Sequence, residues 1–246
     1  MSSLSYAEYV SVVRQEGASL AGAGRLGLAE PVPTCPGWTV ARLLLHVGRV
    51  YRFAAEVVKT RASAAPATPQ RPAEGADPVA YVLDGLEDVV AALGEVEAQT
   101  PVWNWSGQPA EAGFWARRMA HESLIHRVDA KLAHDVAQVI PADLAVDGID
   151  EALDVLAPRA FSNGVPGLSA SLHLAAIDVN EQWTATLTPH SIAVGHGPSG
   201  ARTADVVLRG KASELLLVLY NRTDLDAVDV SGDDRVLTAW REEVHF

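Results

Sequence analysis

The chain has 246 residues, of which 48% are apolar, so it is long enough to bury a sizeable core in one large or two small domains. Its formal net charge of −12 disfavours binding to nucleic acid or to an anionic membrane surface. It contains no apolar run of the roughly 18 residues that a membrane span requires. Cys35 is its single cysteine, and the start MSSLSYAEYVSVV lacks the basic and apolar regions of a signal peptide. We therefore expect a cytoplasmic protein without an internal disulfide.

The first half of the sequence predicts four helices joined by loops. Residues 4–22 carry a modest amphipathic pattern, and the following EPVPTCPGW is a connector because its prolines disfavour helix. Thr39 can cap a second helix, and Asp77 before Pro78 is a favourable start for a third. A fourth helix is expected over about residues 114–136. Four helices of this length indicate a bundle.

After residue 140 the pattern changes from helical to mixed. Residues 142–157 favour helix, and the segments LSASLHLAAID, QWTATLTP, HSIAVGHG and ADVVLRG then alternate apolar and polar residues, as half-buried strands do. KASELLLVLYNR predicts a further helix, and VDVSGDDRVLTAW predicts a short strand with a helical end. The expected class is α+β, with a helical bundle over 1–140 and a smaller α+β domain over 141–246.

Polar side chains of the predicted fourth helix gather where a bundle core is expected. With Glu122 at zero on a helical wheel, His126 lies near +40°, Asp129 near −20° and Arg118 near −40°, among apolar residues. A buried charge costs several kcal/mol unless it is paired or bound to a metal. Two arrangements satisfy this requirement: the ion pairs Arg118–Glu122 and His126–Asp129, or a metal held by Glu122 and His126.

The predicted second helix offers a third ligand for such a metal. His46 lies near the boundary of the apolar arc of that helix, as a pocket-lining ligand does. Two histidines and one glutamate leave a coordination position open, and Zn²⁺ fits this set best, although iron, nickel and manganese are not excluded. HESLIH is not the metalloprotease motif HExxH, because Ile125 occupies the position of its second histidine.

Other candidate residues gave weaker signals. Cys35 is expected to be a packing residue, because no base lies near it in sequence. Asp129 can either orient an imidazole or pair with an arginine. The histidines of the second half are scattered without ligand spacing; they are His173, His190, His196 and His245.

Residues 32–58 (VPTCPGWTVARLLLHVGRVYRFAAEVV) and 115–133 (WARRMAHESLIHRVDAKLA) resemble the N-terminal domain of mycothiol-dependent maleylpyruvate isomerases. Segments within 171–241 resemble the C-terminal domain of that family. The resemblance implies a DinB-like four-helix bundle followed by a small, sterol-carrier-like α+β domain. It also implies that the metal triad of the family falls on His46, Glu122 and His126. The arginine that ends the LLLxLxxR helix of the family falls on Arg222.

The resemblance further implies an actinobacterial enzyme with a divalent metal, most simply Zn²⁺, and mycothiol as thiol cosubstrate. Its partner would be a small, anionic electrophile, which the enzyme either isomerises from cis to trans or joins to the thiol as an S-transferase. Arg222 would hold a substrate carboxylate, or else be a solvated cation at a helix C-terminus. Two other functions stay open: a metal-binding or small-molecule-binding regulatory protein, and a thiol-independent metallohydrolase. Both a monomer and a dimer are compatible with the sequence.

Overall fold

A computed structural model describes residues 4–161, 169–189, 191–233 and 235–243. The chain divides into two compact units, Leu4–Gln138 and a second unit that begins at Val139. Among the described residues, no helix combines the length and apolarity that crossing a bilayer requires.

Four long helices make up the described part of the first unit: α1 (Tyr6–Gly24), α2 (Val40–Lys59), α3 (Pro78–Gly94) and α4 (Ala112–Leu132). Helix α2 packs against α3 and α4, and α1 packs against the same two helices, as in a bundle. Their inward faces form one core rich in Val, Leu and Ala, with Tyr51 and Trp115 as its largest fully buried side chains.

Side-chain caps fix where three of these helices begin. The Ser5 hydroxyl accepts a hydrogen bond from the backbone N–H of Glu8, while the Glu8 carboxylate accepts from the backbone N–H of Ser5. Thr39 caps α2 by accepting from the backbone N–H of Arg42. The Asp77 carboxylate accepts from the first backbone N–H groups of α3, as its sequence predicted.

The predicted end of the fourth helix near residue 136 is wrong. Helix α4 ends at Leu132, and residues 133–135 form a turn. Asp135 has a φ of 53°, in the left-handed region, which is incompatible with continuing the helix.

The second unit has a helical segment followed by a mixed sheet. Helix α5 (Ala142–Glu151) continues through a π-helical stretch at Ala152–Leu156 into the short helix α6 (Ala157–Ala160). The strands are β1 (Ala170–Ala176), β2 (Gln182–Leu187), β3 (Ile192–His196), β4 (Val206–Gly210) and β5 (Asp229–Gly232). Helix α7 (Ala212–Leu219) lies between β4 and β5 in the chain, and α8 (Arg235–Glu243) follows β5.

The strands form one sheet in the order β3-β2-β1-β4-β5, in which only the β1–β4 pair is parallel. Leu174 in the central strand lies opposite Trp183 on one side and Leu208 on the other, and all three are buried. In β2 and β4 the buried side chains alternate with more exposed ones, which is the period-2 pattern of the sequence, whereas the last five residues of the central strand β1 are all buried. The predicted α+β class is therefore confirmed.

Candidate metal centre

Helices α2 and α4 bring together the three residues that the sequence proposed as metal ligands. One turn separates Glu122 from His126 on α4, and His46 approaches them from α2. The Glu122 Oε1 atom lies 3.5 Å from Nε2 of His46 and 3.2 Å from Nε2 of His126. One ligand atom from each of the three residues lies within 4.8 Å of the others.

These separations suit a small metal ion. Zinc–nitrogen and zinc–oxygen bonds of about 2.1 Å in tetrahedral geometry place neighbouring donor atoms about 3.4 Å apart. The two measured separations fall on either side of that value. The His46 side chain is 39% exposed and that of His126 only 12%, so the group opens to solvent on the His46 side. The donor set therefore fits a divalent cation with an accessible coordination position.

A buried carboxylate orients His126. Nδ1 of His126 lies 2.9 Å from Oδ2 of Asp129, which leaves Nε2 directed at Glu122. Asp129 has no solvent exposure, and its Oδ1 accepts a 2.5 Å hydrogen bond from the Thr34 hydroxyl. An acceptor on the far ring nitrogen is the usual support of a histidine ligand, because it fixes the tautomer and the ring plane.

The same carboxylate lies near the single cysteine. The Cys35 Sγ atom is 3.8 Å from Oδ2 of Asp129, so the fold supplies this thiol with an acceptor that does not lie near it in sequence. The two residues are 94 positions apart, and only the packing of the connector against α4 reveals the contact.

The electrostatics of the group favour charged forms of both Glu122 and His126. Burial alone would raise the pKa of Glu122, but His126, His46 and the buried Arg118 together hold that pKa well below its usual range. Burial alone would lower the pKa of His126, but the carboxylates of Glu122 and Asp129 outweigh it and raise the pKa to about 9. Without a cation, these two carboxylates therefore favour the imidazolium form of His126 at neutral pH.

The ion pairs considered from the sequence use the same atoms as the metal alternative. Nη2 of Arg118 lies 3.4 Å from Oε2 of Glu122, and His126 is paired with Asp129 as described above. A cation at Nε2 of His126 would replace the proton held there. The group can therefore exist as a salt-bridge network or as a ligand set, and the proton of His126 is the difference.

An open cavity of about 610 Å³ adjoins His46. It is lined by one side of α2 and by the loop that precedes α3, including Trp38, Arg42, Arg49 and Arg71. The Trp38 ring contacts the His46 ring edge to face, with centroids 5.0 Å apart. Space for a small molecule is thus available directly beside the candidate ligands.

Arg222 lies in the second unit, just after α7, and is only 9% exposed. Its Nη1 donates a 2.6 Å hydrogen bond to the backbone carbonyl of Tyr220. Of the alternative reading, the solvation is wrong because Arg222 is buried, but its place at the C-terminal end of a helix is correct. The substrate-binding role stays a prediction.

The second unit also contains a histidine–carboxylate cluster that sequence spacing did not suggest. The ring nitrogens of His196 on β3 face the carboxylates of Asp150 and Asp154, at 3.5 and 3.3 Å. Asp150 also accepts a hydrogen bond from the indole of Trp183. His173 is buried, and its ring nitrogens form hydrogen bonds with Thr184 and Gln182. His190 and His245 lie outside the described residues.

Both units of the chain match domains of one known protein family. Residues 13–131 match the mycothiol maleylpyruvate isomerase N-terminal domain, and residues 143–239 match the C-terminal domain of the same family. The chain superposes on the solved structure of a mycothiol-dependent maleylpyruvate isomerase with a TM-score of 0.67, and on that of a mutant of a mycothiol-dependent maleylpyruvate isomerase with a TM-score of 0.68. Both are 16% identical to the chain, and each alignment covers 94% of this chain and 96% of the other.

At that identity the structural likeness shows a shared fold, while the two domain matches together span most of the chain. No curated protein sequence matches it. The chain belongs to the mycothiol-dependent maleylpyruvate isomerase family.

Proposed function

We propose that the protein is a metal- and mycothiol-dependent enzyme that isomerises a small electrophilic anion of the maleylpyruvate type. The observation that carries this proposal is the convergence of Nε2 of His46 and Nε2 of His126 on one oxygen of Glu122, beside an open cavity. Membership of the family supports the thiol cosubstrate and the reaction class. A single cysteine agrees with action in the cytoplasm, where disulfides are rare.

The residues of the first unit would hold the cation and keep it accessible. His46, Glu122 and His126 are the proposed ligands, Zn²⁺ being the ion that suits them best. A divalent cation bound there favours the thiolate form of a neighbouring thiol, and the thiolate is the nucleophile. Asp129 orients His126, and Arg118 contributes to keeping Glu122 ionised.

The proposed reaction returns the thiol unchanged. The thiolate adds to one carbon of the cis double bond, and the electron pair moves onto the conjugated carbonyl oxygen. The former double bond is then single and can rotate. Return of the electron pair expels the thiolate and leaves the trans double bond. Arg222 would hold a substrate carboxylate, since a guanidinium binds carboxylates through two parallel hydrogen bonds.

The first experiment measures the metal content of the purified chain with its H46A and E122A variants. His134 lies in the same unit outside the ligand group, so H134A serves as the matched control. We expect about one metal ion per chain in the wild type and in H134A, and strong loss in the other two variants. Mycothiol titrated calorimetrically should bind the metal-loaded protein only, and maleylpyruvate should then be isomerised.

The outcomes separate the competing functions. A wild-type chain that stays metal-free after reconstitution would overturn the mechanism and leave a buried salt-bridge network. Metal and thiol binding without turnover would favour the regulatory protein, and a stable thiol adduct would favour the S-transferase. Turnover of an ester or amide without thiol would favour the metallohydrolase.

A further inference from the structure

Three side chains that can bind a ligand lie on one side of α2. Arg42, His46 and Arg49 follow each other at intervals of four and three residues, so they point to the same side of the helix. Trp38, just before the helix, lies between two of them: its ring contacts His46, and the guanidinium carbon of Arg42 lies 4.8 Å from its ring centroid. Arg42 is therefore placed by a cation–π contact.

The loop before α3 forms the opposite wall of the same cavity. Residues 71–76 line it, and Arg71 is the cationic member of that segment. Nε of Arg49 donates a 2.9 Å hydrogen bond to the backbone carbonyl of Pro69, which fastens this loop to α2. The loop has no periodic pattern, so its place in the lining of a cavity could not be predicted from the sequence.

The charge of this cavity is opposite to that of the whole chain. The chain carries −12, yet the cavity is lined by three arginines and one carboxylate, that of Glu74. Within the described part of the chain, no ion pair joins Arg42, Arg49 or Arg71 to a carboxylate. Guanidinium groups that gather around an open space without carboxylate partners are a typical anion-binding arrangement.

We propose that this basic cavity, defined by Arg42, Arg49 and Arg71, binds the carboxylates of a small dianionic substrate. The inference rests on the proposed function, because it assigns the position beside His46 to the thiol and the space bordered by the three arginines to the substrate. It extends that function by assigning substrate recognition to residues of the first unit itself. Glu74 opposes the anion and limits its affinity.

Binding of maleate tests the basic cavity without turnover. Isothermal titration of the full chain, with zinc and after its removal, measures the affinity in the absence of thiol. We expect R42Q, R49Q and R71Q each to weaken maleate binding about three- to tenfold, and E74Q to tighten it about twofold. R14Q on the exposed face of α1 removes the same charge outside the cavity and should leave the affinity within about twofold.

Further arms identify the ligand chemistry and separate this inference from the metal mechanism. The neutral diamide of maleate should not bind, and inorganic phosphate should bind more weakly than maleate. Arginine-dependent maleate binding that persists without zinc supports the basic cavity even if thiol-dependent turnover is never found. Three results would overturn it: affinity that depends on zinc but not on the three arginines, affinity lost only in R222Q, or phosphate as the tighter ligand.

Discussion

His126 would exchange a proton for a metal ion if the proposed ligand set binds one. Its pKa of about 9, raised by the carboxylates of Glu122 and Asp129 against the effect of burial, makes it cationic at neutral pH. A metal ligand must be neutral imidazole, so zinc uptake at pH 7.5 should release about one proton per ion. Calorimetric titration of zinc in buffers of different ionisation enthalpy measures that number. Uptake without proton release would contradict an imidazolium at this position.

Asp129 is the residue on which the orientation of His126 depends. In D129N the ring loses its anionic acceptor while the side chain keeps its shape and can still bond to Thr34. We expect zinc affinity to fall about 10- to 100-fold, with the fold retained. D84N on the exposed face of α3 is the matched control and should bind zinc as the wild type does. Equal affinity in both variants would show that Asp129 has no role in orienting the ligand.

The stability of the metal-free chain should depend on pH through the same histidine. The pKa of His126 is raised from an ordinary value of 6.5 to about 9, so the folded state holds the proton more tightly than the unfolded state. The resulting stabilisation is complete below about pH 6.5 and is lost as pH rises through about 9. Thermal unfolding between pH 6.5 and 9.5 should show a falling Tm in the wild type, and a smaller fall in H126Q.

At the scale of residues, the sequence predicted which side chains share a helix face, but not the contacts that packing makes between distant segments. Glu122 and His126 share a face because of their spacing, and His46 followed from the apolar arc of α2. The contacts of Thr34 and Cys35 with Asp129 cross more than 90 residues, so no local pattern predicts them. The roles of all these residues in metal binding remain predictions.

At the scale of the elements, two glycines let α2 and α3 approach closely. A Cβ atom at Gly85 would lie 2.7 Å from the backbone carbonyl oxygen of Gly48, closer than real Cβ contacts occur. The same carbonyl accepts a 2.8 Å hydrogen bond from Nη1 of Arg52. The helices must therefore shift if either glycine gains a side chain.

We expect G85A to destabilise the fold by about 1–3 kcal/mol, because the overlap includes the backbone of Gly48, which cannot rotate away as the Arg52 side chain can. Gly94 of the same helix has open space at its Cβ position, so G94A should stabilise the chain by about 0.4–1 kcal/mol. Urea denaturation measures both free energies of unfolding. A G85A protein as stable as the wild type would mean that the two helices separate without cost.

The elements that were predicted correctly are those with a local signal in the sequence. The caps at Thr39 and Asp77 mark helix starts because their side chains bond locally. The end of α4 has no such marker, and its termination depends on the left-handed conformation of Asp135. The π-helical stretch at 152–156 and the cavity wall at 71–76 have no periodicity that would distinguish them.

At the scale of the whole molecule, the change of hydrophobic period near residue 140 predicted the α+β class, because helices and half-buried strands repeat differently. The motifs around His46 and His126 carried the family resemblance, and both domain matches agree with it. The charge reversal in the basic cavity was not visible, because the loop between α2 and α3 has no pattern that shows its fold back against the arginines of α2.

The proposed metal ligands and the proposed substrate-binding residue Arg222 lie on different units, so these two roles can be separated by mutation. His46, Glu122 and His126 belong to the first unit, and Arg222 belongs to the second. We expect R222Q to keep about one metal ion per chain while turnover falls about 10- to 100-fold, because a charged hydrogen bond to the substrate is lost. R222K should restore part of this turnover through its charge alone, since an ammonium lacks the guanidinium fork.

R209Q provides the control, because Arg209 is an exposed residue on β4 of the same unit and its loss changes the net charge equally. It should match the wild type in metal content and in turnover. If R222Q also loses its metal, Arg222 acts on the fold rather than on the substrate. If R222Q turns over as the wild type does, substrate binding belongs to other residues, and the basic cavity then becomes the principal candidate for holding the anion.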